Sequence, residues 1–250
     1  MRCLSSKSQV VRAVCNELPP VALLAGGLAT RLRPATDMAP KSLLQVAGKP
    51  FLAHQLRLLA QEGARDVVIC CGHFGEQIEH FAGDGSEFGC RVRYCFDGDS
   101  LLGTGGALRH ALPMLGDVFF VMYGDSYLPV NFRAVHDRFK ALQQPALMTV
   151  FRNQGRWDKS NVIFRKGRVV LYEKTLPLAE MEYIDYGLGV LTAACLSSWW
   201  ENEVFDLGDV YGRLARERRL AGFEATERFY EIGSHAGRAA AEKFLNGVTA

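Results

Sequence analysis

The fold is decided by the stretch Val21-Ala-Leu-Leu-Ala-Gly-Gly27, an apolar run that ends in two glycines. A continuous apolar run of this length is typical of a strand buried on both faces, as the strands of parallel sheets are. Glycine lacks a Cβ, so Gly26 and Gly27 allow backbone N–H groups to approach a ligand closely. Successive N–H groups in such a turn form a concave site for anions. The stretch therefore predicts a buried strand that leads into a phosphate-binding loop.

Strand-like and helical patterns alternate downstream of this stretch. Strands are predicted over 66–71, 91–96, 118–123, 146–151 and 186–192, and helices over 51–60, 76–81, 107–115, 131–142, 209–218 and 236–245. This alternation is typical of a mostly parallel sheet with helices on both faces. After residue 151, two strand-like runs flank Lys166-Gly167, which indicates a hairpin. We therefore predict an α/β fold, with a Rossmann-like mixed, mostly parallel sheet flanked by helices and a smaller β-rich portion.

The length and charge of the chain limit the classes of function. The chain has 250 residues, a formal net charge of +2 and 48% hydrophobic residues, which excludes a disordered or fibrous protein. No apolar run approaches the ~18 residues of a membrane span, so no membrane partner is predicted. The near-neutral charge gives no reason to expect a nucleic-acid partner. We predict an N-terminal extension over 1–19 and a single domain over 20–250.

The cysteines and the N-terminal residues indicate the compartment. Seven cysteines, an odd number without Cys-x-x-Cys spacing, are typical of buried reduced thiols. The first residues contain basic side chains but no continuous apolar core, so a secretory signal is not predicted. These features predict a cytoplasmic protein. Dispersed histidines and the lack of a Gly-x-Ser-x-Gly turn argue against a zinc site and a serine nucleophile.

Two basic residues strengthen the prediction of a phosphate site. Arg31 offers a planar, bidentate phosphate donor, and Lys41 offers a compact positive charge. A P-loop does not match, because Gly48-Lys49 is followed by Pro50 rather than by Ser or Thr. A dinucleotide fingerprint fails as well, since Leu108 stands where its last glycine belongs. The sequence therefore indicates a phosphate site of another kind.

The spacing of Gly26-Gly27, Arg31 and the later Pro40-Lys41 resembles the sugar-1-phosphate nucleotidyltransferase family, whose pattern is Gly-Gly-x-Gly-Thr-Arg-Leu-x-Pro followed by Pro-Lys. The sequence departs from this pattern at Ala29, where the family most often has glycine. With later motifs, the resemblance covers about residues 20–246. It implies an enzyme that transfers a nucleoside monophosphate from an NTP to a sugar 1-phosphate and releases pyrophosphate. Mg²⁺ is the implied cofactor, and the β-rich portion would bind the sugar.

The resemblance implies that the glycine loop and a second glycine run bind the nucleotide. In the family, the region that matches Leu102-Gly-Thr-Gly-Gly-Ala-Leu108 lies against the nucleobase and ribose. Arg31 would steady the β- and γ-phosphates, and Lys41 would offset charge at the α-phosphate. Asp97 and Asp99, just before the second run, are expected to be solvated loop charges. The implied nucleotide-binding residues are Leu24, Gly26, Gly27, Thr104 and Gly105.

Two carboxylates are implied as metal ligands. Asp125 follows the strand predicted over 118–123, at the edge where open α/β sheets bind ligands. Glu231 takes the place of the family's second metal carboxylate, which is usually aspartate and one methylene shorter. Magnesium demands near-ideal octahedral geometry, so the longer side chain must stand back slightly or coordinate through water.

The resemblance places the sugar phosphate near two further motifs. Glu173-Lys174 resembles the start of the family's Glu-Lys-Pro motif, with Thr175 in place of the proline. There the glutamate accepts sugar hydroxyls and the lysine binds the sugar phosphate. Ile184-Asp-Tyr-Gly187 resembles the family segment whose backbone lies along the sugar. The implied sugar-phosphate residues are Glu173, Lys174, Tyr186 and Gly187.

The favoured substrates are GTP and a mannose- or heptose-type 1-phosphate, because both glycine-containing stretches resemble the guanylyltransferase branch. Uridylyl, cytidylyl or thymidylyl transfer stays open. A non-catalytic module of the same fold that senses a nucleotide or sugar phosphate is a second hypothesis, motivated by Ala29, Glu231 and the missing proline after Lys174. A cytidylyl- or guanylyltransferase for a cofactor or choline phosphate is a third. A monomer or a homo-oligomer is expected.

Overall fold

The structure is a computed structural model that describes residues 17–27, 32–157, 159–176 and 178–248. The extension predicted over 1–19 lies mostly outside these residues, and the single domain over 20–250 stays a prediction. The strands are β1 (Val21–Leu24), β2 (Gln45–Val46), β3 (Lys49–Pro50), β4 (Asp66–Cys71), β5 (Arg91–Phe96), β6 (Val118–Tyr123), β7 (Ser126–Tyr127), β8 (Ala146–Arg152), β9 (Val162–Arg165), β10 (Arg168–Tyr172), β11 (Tyr183–Thr192), β12 (Leu220–Ala225) and β13 (Tyr230–Glu231). The helices are α1 (Phe51–Gln61), α2 (Gly75–Ala82), α3 (Gly103–Leu115), α4 (Phe132–Leu142), α5 (Leu207–Arg216) and α6 (His235–Val248).

The main sheet is mixed, and most of its strands run in the same direction. In the described part of the chain it has nine strands, in the order β5-β4-β1-β6-β11-β8-β12-β10-β9. β1 runs parallel to β4 and β6, β4 to β5, and β12 to β8. β11 runs antiparallel to β6 and β8, and β10 to β12 and β9. The carboxyl ends of β1, β4, β6 and β8 therefore meet at one edge, where β11 begins. The predicted α/β fold and the β9–β10 hairpin are confirmed.

Helices cover both faces of the sheet, as the alternation predicts. One apolar cluster contains Val21 and Leu23 and joins α1, α2 and α4 to the sheet. Another contains Ala22 and joins α3 and α5. Alternate residues of a strand point to opposite faces, so the two clusters lie on opposite sides of β1. Within the described residues, no helix is both long and apolar enough to span a bilayer.

β12 lies outside the elements that the sequence predicts. Its sequence has a central glycine and no β-branched residue, so it carries little strand signal. A Cβ on Gly222 would lie 2.4 Å from the ring of Phe164, which makes glycine necessary there. Pairing with β8 over the whole length of β12 decides the structure of this segment.

Two helices begin earlier than their apolar patterns predict. α3 begins at Gly103 rather than at residue 107, and the N–H groups of Gly105 and Gly106 donate to the carbonyl of Phe205. α5 begins at Leu207 rather than at residue 209, because the preceding aspartate caps its first turn. Contacts between these two segments therefore fix both helix starts.

Candidate active site

The carboxyl ends of β1, β4 and β6 surround a cavity of about 260 Å³, which we call the edge cavity. Open α/β sheets bind ligands at this edge. The glycine loop, the segment around Lys41, the start of α3 and the residues after β6 all contribute to the lining. The predicted site residues in that lining are Leu24, Gly26, Gly27, Lys41, Thr104 and Asp125.

The two glycines of the loop after β1 differ in their surroundings. A Cβ on Gly26 would lie 3.1 Å from the backbone nitrogen of Gly72, which leaves little room for a larger residue. A Cβ on Gly27 would meet no atom within 4 Å. Gly26 is therefore needed for packing, whereas Gly27 is open to a ligand. Ala29 and the predicted catalytic Arg31 lie outside the described residues.

The predicted catalytic lysine and the first predicted metal carboxylate form an ion pair at the edge cavity. Nζ of Lys41 lies 2.7 Å from Oδ2 of Asp125, and Oδ1 of Asp125 accepts a hydrogen bond from Ser126 at 3.2 Å. The side chains are 18% and 32% exposed, so a ligand can reach both. An accessible pair of this kind can exchange its partners, the lysine for a phosphate and the carboxylate for a cation.

The second predicted metal carboxylate lies next to the first. β13 pairs with β7 so that Glu231 is opposite Ser126, which directly follows Asp125. The carboxylate of Glu231 accepts hydrogen bonds from the hydroxyl of Ser234 at 2.8 Å and from the N–H of Gly233. It is therefore turned toward the start of α6.

The two carboxylates would fit a magnesium site completed by the substrate only if Glu231 turned away from its present partners. The described residues contain no group of three or more His, Cys, Asp or Glu side chains that could hold a metal. Magnesium usually binds through one or two carboxylates and keeps waters and substrate phosphates as its other ligands. Asp125 at the cavity and Glu231 beside it meet that requirement once Glu231 releases its local donors.

The Glu173-Lys174 motif follows β10, and its two side chains have different partners. Oε1 of Glu173 accepts from the N–H and the hydroxyl of Thr175, at 2.8 and 2.6 Å, and these bonds lower the pKa of Glu173. Nζ of Lys174 donates to Oδ1 of Asp206 at 2.9 Å. Burial opposes the ionisation of Asp206, but the hydrogen bond and charge of Lys174, together with the hydrogen bonds from Gly208 and Thr104, outweigh it and leave the pKa of Asp206 below its usual value. Of the two motif residues, Lys174 is therefore the one that contacts a distant element.

The second glycine run joins α3 to the start of α5. The hydroxyl of Thr104 accepts from the N–H of Leu207 at 2.8 Å. A Cβ on Gly105 would lie 2.3 Å from the ring of Phe205, and Gly105 is absent from the lining of the edge cavity. Thr104 thus lines the cavity, whereas the structure places Gly105 against the segment before α5.

The two predicted sugar-phosphate residues on β11 are placed differently. The Tyr186 side chain is 1% exposed, with its ring centroid 6.3 Å from that of Phe151 and 5.8 Å from that of Phe229. Burial raises the pKa of Tyr186. The side chain belongs to the core and does not reach the edge cavity. Gly187 has φ +103°, and its backbone is the part that a ligand could contact.

Asp97 is not the solvated loop charge that the sequence predicts. It lines the edge cavity, and its Oδ2 accepts from the N–H of Leu102 at 3.2 Å. Burial raises the pKa of Asp97 above its usual value. The chain turns at Gly98, which has φ +82°, and so directs Asp97 inward, whereas Asp99 is exposed as expected. The sequence feature that could have indicated this position of Asp97 is the nearby helix start, because the first N–H groups of a helix need acceptors.

A second acidic residue, Asp185, is a functional candidate that the sequence does not identify. Its Oδ1 accepts from the N–H of Gly187 at 3.0 Å, and its Oδ2 lies 3.4 Å from the hydroxyl of Tyr123 and 3.5 Å from that of Tyr172. Burial raises the pKa of Asp185, and the bond from Gly187 opposes this only in part. Tyr123 also lines the edge cavity, so Asp185 lies just behind its wall.

Comparison with known proteins gives a match over most of this site. The model of the family described as nucleotidyl transferase matches residues 21–160, more than half of the chain. Over 123 residues the chain is 39% identical to N-acetylmuramate alpha-1-phosphate uridylyltransferase from Neisseria meningitidis serogroup B, which covers 49% of this chain and 53% of that protein. The chain thus matches about half the length of this relative.

Two further similarities extend over nearly the whole chain. Over 241 residues it is 27% identical to a protein of the same name from Caulobacter vibrioides, covering 92% of this chain and 98% of that protein. The solved structure of a putative glucose-1-phosphate thymidylyltransferase from Bacillus anthracis superposes with a TM-score of 0.80. It covers 91% of this chain and 95% of that chain at 20% identity, which shows a shared fold.

Proposed function

The chain belongs to the nucleotidyl transferase family, and from that premise we propose that it transfers a nucleoside monophosphate from an NTP to a sugar 1-phosphate. Pyrophosphate leaves and an NDP-sugar forms. One observation carries the proposal: Nζ of Lys41 lies 2.7 Å from Oδ2 of Asp125 at the edge cavity, whose lining includes the glycine loop. Such a pair offers one cation for a phosphate and one carboxylate for a metal.

The reaction needs positioning and charge stabilisation rather than a general base. The second pKa of a phosphate monoester is ~6, so the attacking oxygen is already an anion at neutral pH. Lys41 would break its ion pair with Asp125 and then offset charge at the α-phosphate. Arg31 would steady the β- and γ-phosphates. Lys174 would break its ion pair with Asp206 and bind the phosphate of the sugar. Each lysine is kept near its position by a carboxylate until a phosphate replaces it.

Asp125 and Glu231 would hold Mg²⁺. When bound, the ion neutralises charge on the phosphates. Before Glu231 can contribute, its carboxylate has to turn away from Ser234 and Gly233, which it now contacts at the start of α6. A Cβ on Gly237 would overlap this carboxylate, so glycine there leaves room for it.

We propose GTP as the nucleotide, with a mannose- or heptose-type 1-phosphate as acceptor. Asp97 lines the edge cavity and supplies carboxylate oxygens as acceptors. Guanine presents two adjacent donors, N1–H and the N2 amino group, to such a carboxylate. In uracil and thymine a single N–H lies between two carbonyl oxygens. These oxygens repel the oxygens of a carboxylate.

Uridylyl transfer to N-acetylmuramate 1-phosphate is the second candidate. It is favoured by the activity for which the Neisseria and Caulobacter relatives are named, and the second of these matches along nearly the whole chain.

The cytoplasm is the proposed compartment. The cysteines in the described part of the chain, namely Cys70, Cys71, Cys90, Cys95 and Cys195, are buried and free, which supports a reducing environment.

The proposal is tested by a screen of pyrophosphate release. Each of four NTPs is combined with a panel of sugar 1-phosphates and with choline phosphate, in the presence and absence of Mg²⁺. Metal-dependent release with a sugar 1-phosphate is the expected result, and the base comparison separates GTP from UTP. Nucleotide binding without turnover in any combination would support the sensing module instead. Turnover with choline phosphate alone would support the third hypothesis.

A further inference from the structure

A second cavity opens at the same edge of the sheet, at the ends of β8 and β12. Its volume is about 420 Å³, and we call it the arginine pocket. Three arginines and one glutamate line it, so its lining is positive on balance. The charged and aromatic residues of the lining are Phe151, Arg152, Arg156, Trp157, Glu224 and Arg228. A pocket of this composition favours an anionic ligand.

Arg228 lies against two aromatic rings. Its guanidinium carbon lies 3.5 Å from the ring centroid of Trp157 and 4.8 Å from that of Tyr230. Stacking fixes the guanidinium plane without using its N–H groups. Among the residues that the structure describes, Arg228 has no carboxylate partner, and its Nε has no hydrogen-bond acceptor. Nε is buried, so the terminal N–H groups of Arg228, which have no acceptor among the described residues, are the donors that a ligand could use.

The loop that completes the arginine pocket is ordered by a buried side chain. Asn153 is fully buried, and its Oδ1 accepts from the N–H of Trp157 at 3.2 Å. Its amide group donates to the hydroxyl of Ser160 at 3.1 Å, which closes the loop. Arg156 extends from this loop with its side chain exposed, and no described carboxylate pairs with it. The positions of Trp157 and Arg156 thus follow from the fold.

The third arginine is already paired, but weakly. Arg152 lies 3.2 Å from Glu182, and both side chains are more than half exposed. Exposed pairs of this kind contribute little to stability, so an anion in the pocket can compete with Glu182. Arg228 and Arg156 remain the main donors.

The arginine pocket lies within reach of a sugar at the reacting centre. Asp125 follows β6 and Arg152 ends β8, and only β11 separates these strands. Neighbouring strands are ~4.8 Å apart, so the two positions are about 10 Å apart across the sheet. A pyranose with an extended substituent spans a comparable distance. Tyr230, which contacts Arg228, is also followed directly by Glu231.

We propose that the arginine pocket binds a second acidic group, a carboxylate or a phosphate, on the acceptor sugar 1-phosphate. The inference rests on the proposed function, because it takes the sugar to lie across the start of β11 between Asp125 and Arg228. Arg228 receives the acid in a fixed geometry, and Arg156 contacts it from the loop. A neutral hexose leaves both cations without an anion. The pocket therefore determines specificity for an acidic sugar, including an acidic derivative within the mannose or heptose series.

Matched pairs of sugars test this inference. The turnover of glucose 1-phosphate is compared with that of glucuronate 1-phosphate and of glucose 1,6-bisphosphate. The turnover of N-acetylglucosamine 1-phosphate is compared with that of its 3-O-lactyl derivative. We expect kcat/KM for an acidic member to exceed that of its neutral partner by about tenfold or more, as a charge-assisted hydrogen bond provides. Comparison of the glucuronate and lactyl sugars with the bisphosphate shows whether the pocket prefers a carboxylate or a phosphate.

Two variants and one control assign the effect to the pocket. Arg228→Gln and Arg156→Gln should each lower the acid-to-neutral ratio of kcat/KM by about tenfold. Arg156 is on the exposed loop, so its variant keeps the test valid if Arg228→Gln does not fold. Arg91→Gln is the control: it removes an exposed arginine on β5, the outermost strand at the end of the sheet away from β8 and β12. This variant should leave the ratio unchanged.

The outcomes separate this inference from the proposed function. Equal kcat/KM within every pair overturns the inference while leaving nucleotidyl transfer established. If no sugar turns over, the proposed function fails, and calorimetric binding of the same pairs decides the role of the pocket. Tighter binding of an acidic member that is lost in Arg228→Gln supports the inference. Equal binding of acidic and neutral members overturns it.

Discussion

Nζ of Lys174 lies 2.9 Å from Oδ1 of Asp206, and this contact joins the loop after β10 to the first turn of α5. On the same turn, the N–H of Leu207 donates to Thr104 at the wall of the edge cavity. The residues predicted for the sugar phosphate and for the nucleotide are therefore linked through one helix start. Helix N-termini favour anions, and the carboxylate of Asp206 lies at this one.

We expect Lys174→Met to raise KM for the sugar 1-phosphate by about tenfold, because a charge-assisted bond to phosphate is lost. KM for the NTP should change little. Steady-state kinetics with each substrate varied in turn measures both values. Lys140→Met, which removes another exposed lysine in an ion pair, is the control. Equal increases in the two KM values would argue against a role at the sugar phosphate.

We expect Asp125→Asn to lower kcat by about 100-fold or more, because a metal carboxylate stabilises the charge of the transition state. The thermal midpoint should stay close to that of the wild type, since Asp125 is partly exposed. Asp99→Asn changes an exposed aspartate near the same cavity and serves as the control. Normal turnover of Asp125→Asn at low Mg²⁺ would show that Asp125 is not a metal ligand.

Asp97 decides the choice of base if its carboxylate pairs with guanine. Asp97→Asn replaces one acceptor by a donor, so the ratio of kcat/KM for GTP over UTP should fall by about tenfold or more. The measurement is turnover with each NTP at a fixed sugar concentration. Asp99→Asn again provides the control. An unchanged ratio would show that the base is read by other groups.

The main parts of the edge cavity could be predicted because each follows a strong local signal. Gly26 ends an apolar strand, and Asp125 follows another, and the carboxyl ends of parallel strands meet at one edge. Their partner Lys41 lies far along the chain from Asp125, yet the resemblance already assigned both to one site. Local patterns, one topological rule and the family resemblance together therefore suffice for this part of the molecule.

The remaining parts depend on pairings that no local pattern encodes. Asp185 lies beside an irregularity in the β11–β8 register, and the next residue, Tyr186, points into the core rather than toward the edge cavity. Arg228 meets Trp157 only because β12 pairs with β8, and β12 carries little strand signal. Side-chain direction at such positions is set by strand register, which a single sequence does not reveal.

The two glycine runs should respond differently to alanine. Gly105→Ala would place a Cβ 2.3 Å from the ring of Phe205, and overpacking of this kind costs about 1–3 kcal/mol. Gly27→Ala meets no atom within 4 Å and should leave the free energy of unfolding nearly unchanged. Urea unfolding measures both values. In turnover, Gly27→Ala should raise KM for the NTP, because the added methyl group stands where phosphates approach. Equal stability of the two variants would contradict the packing role of Gly105.

Asp185 gives a pH dependence whose sign follows from its environment. Burial raises its pKa, so the folded protein binds this proton more tightly than the unfolded chain does. Stability from this group is therefore fully present below the unfolded pKa of ~3.9 and is lost as pH rises through the folded value. Asp185→Asn, which stays neutral, should raise the free energy of unfolding at pH 7, and the difference from the wild type should shrink on acidification. Urea unfolding at a series of pH values measures this, with Asp99→Asn as the exposed control. A variant less stable than the wild type at pH 7 would mean that the ionised carboxylate contributes net stability through Gly187, Tyr123 and Tyr172.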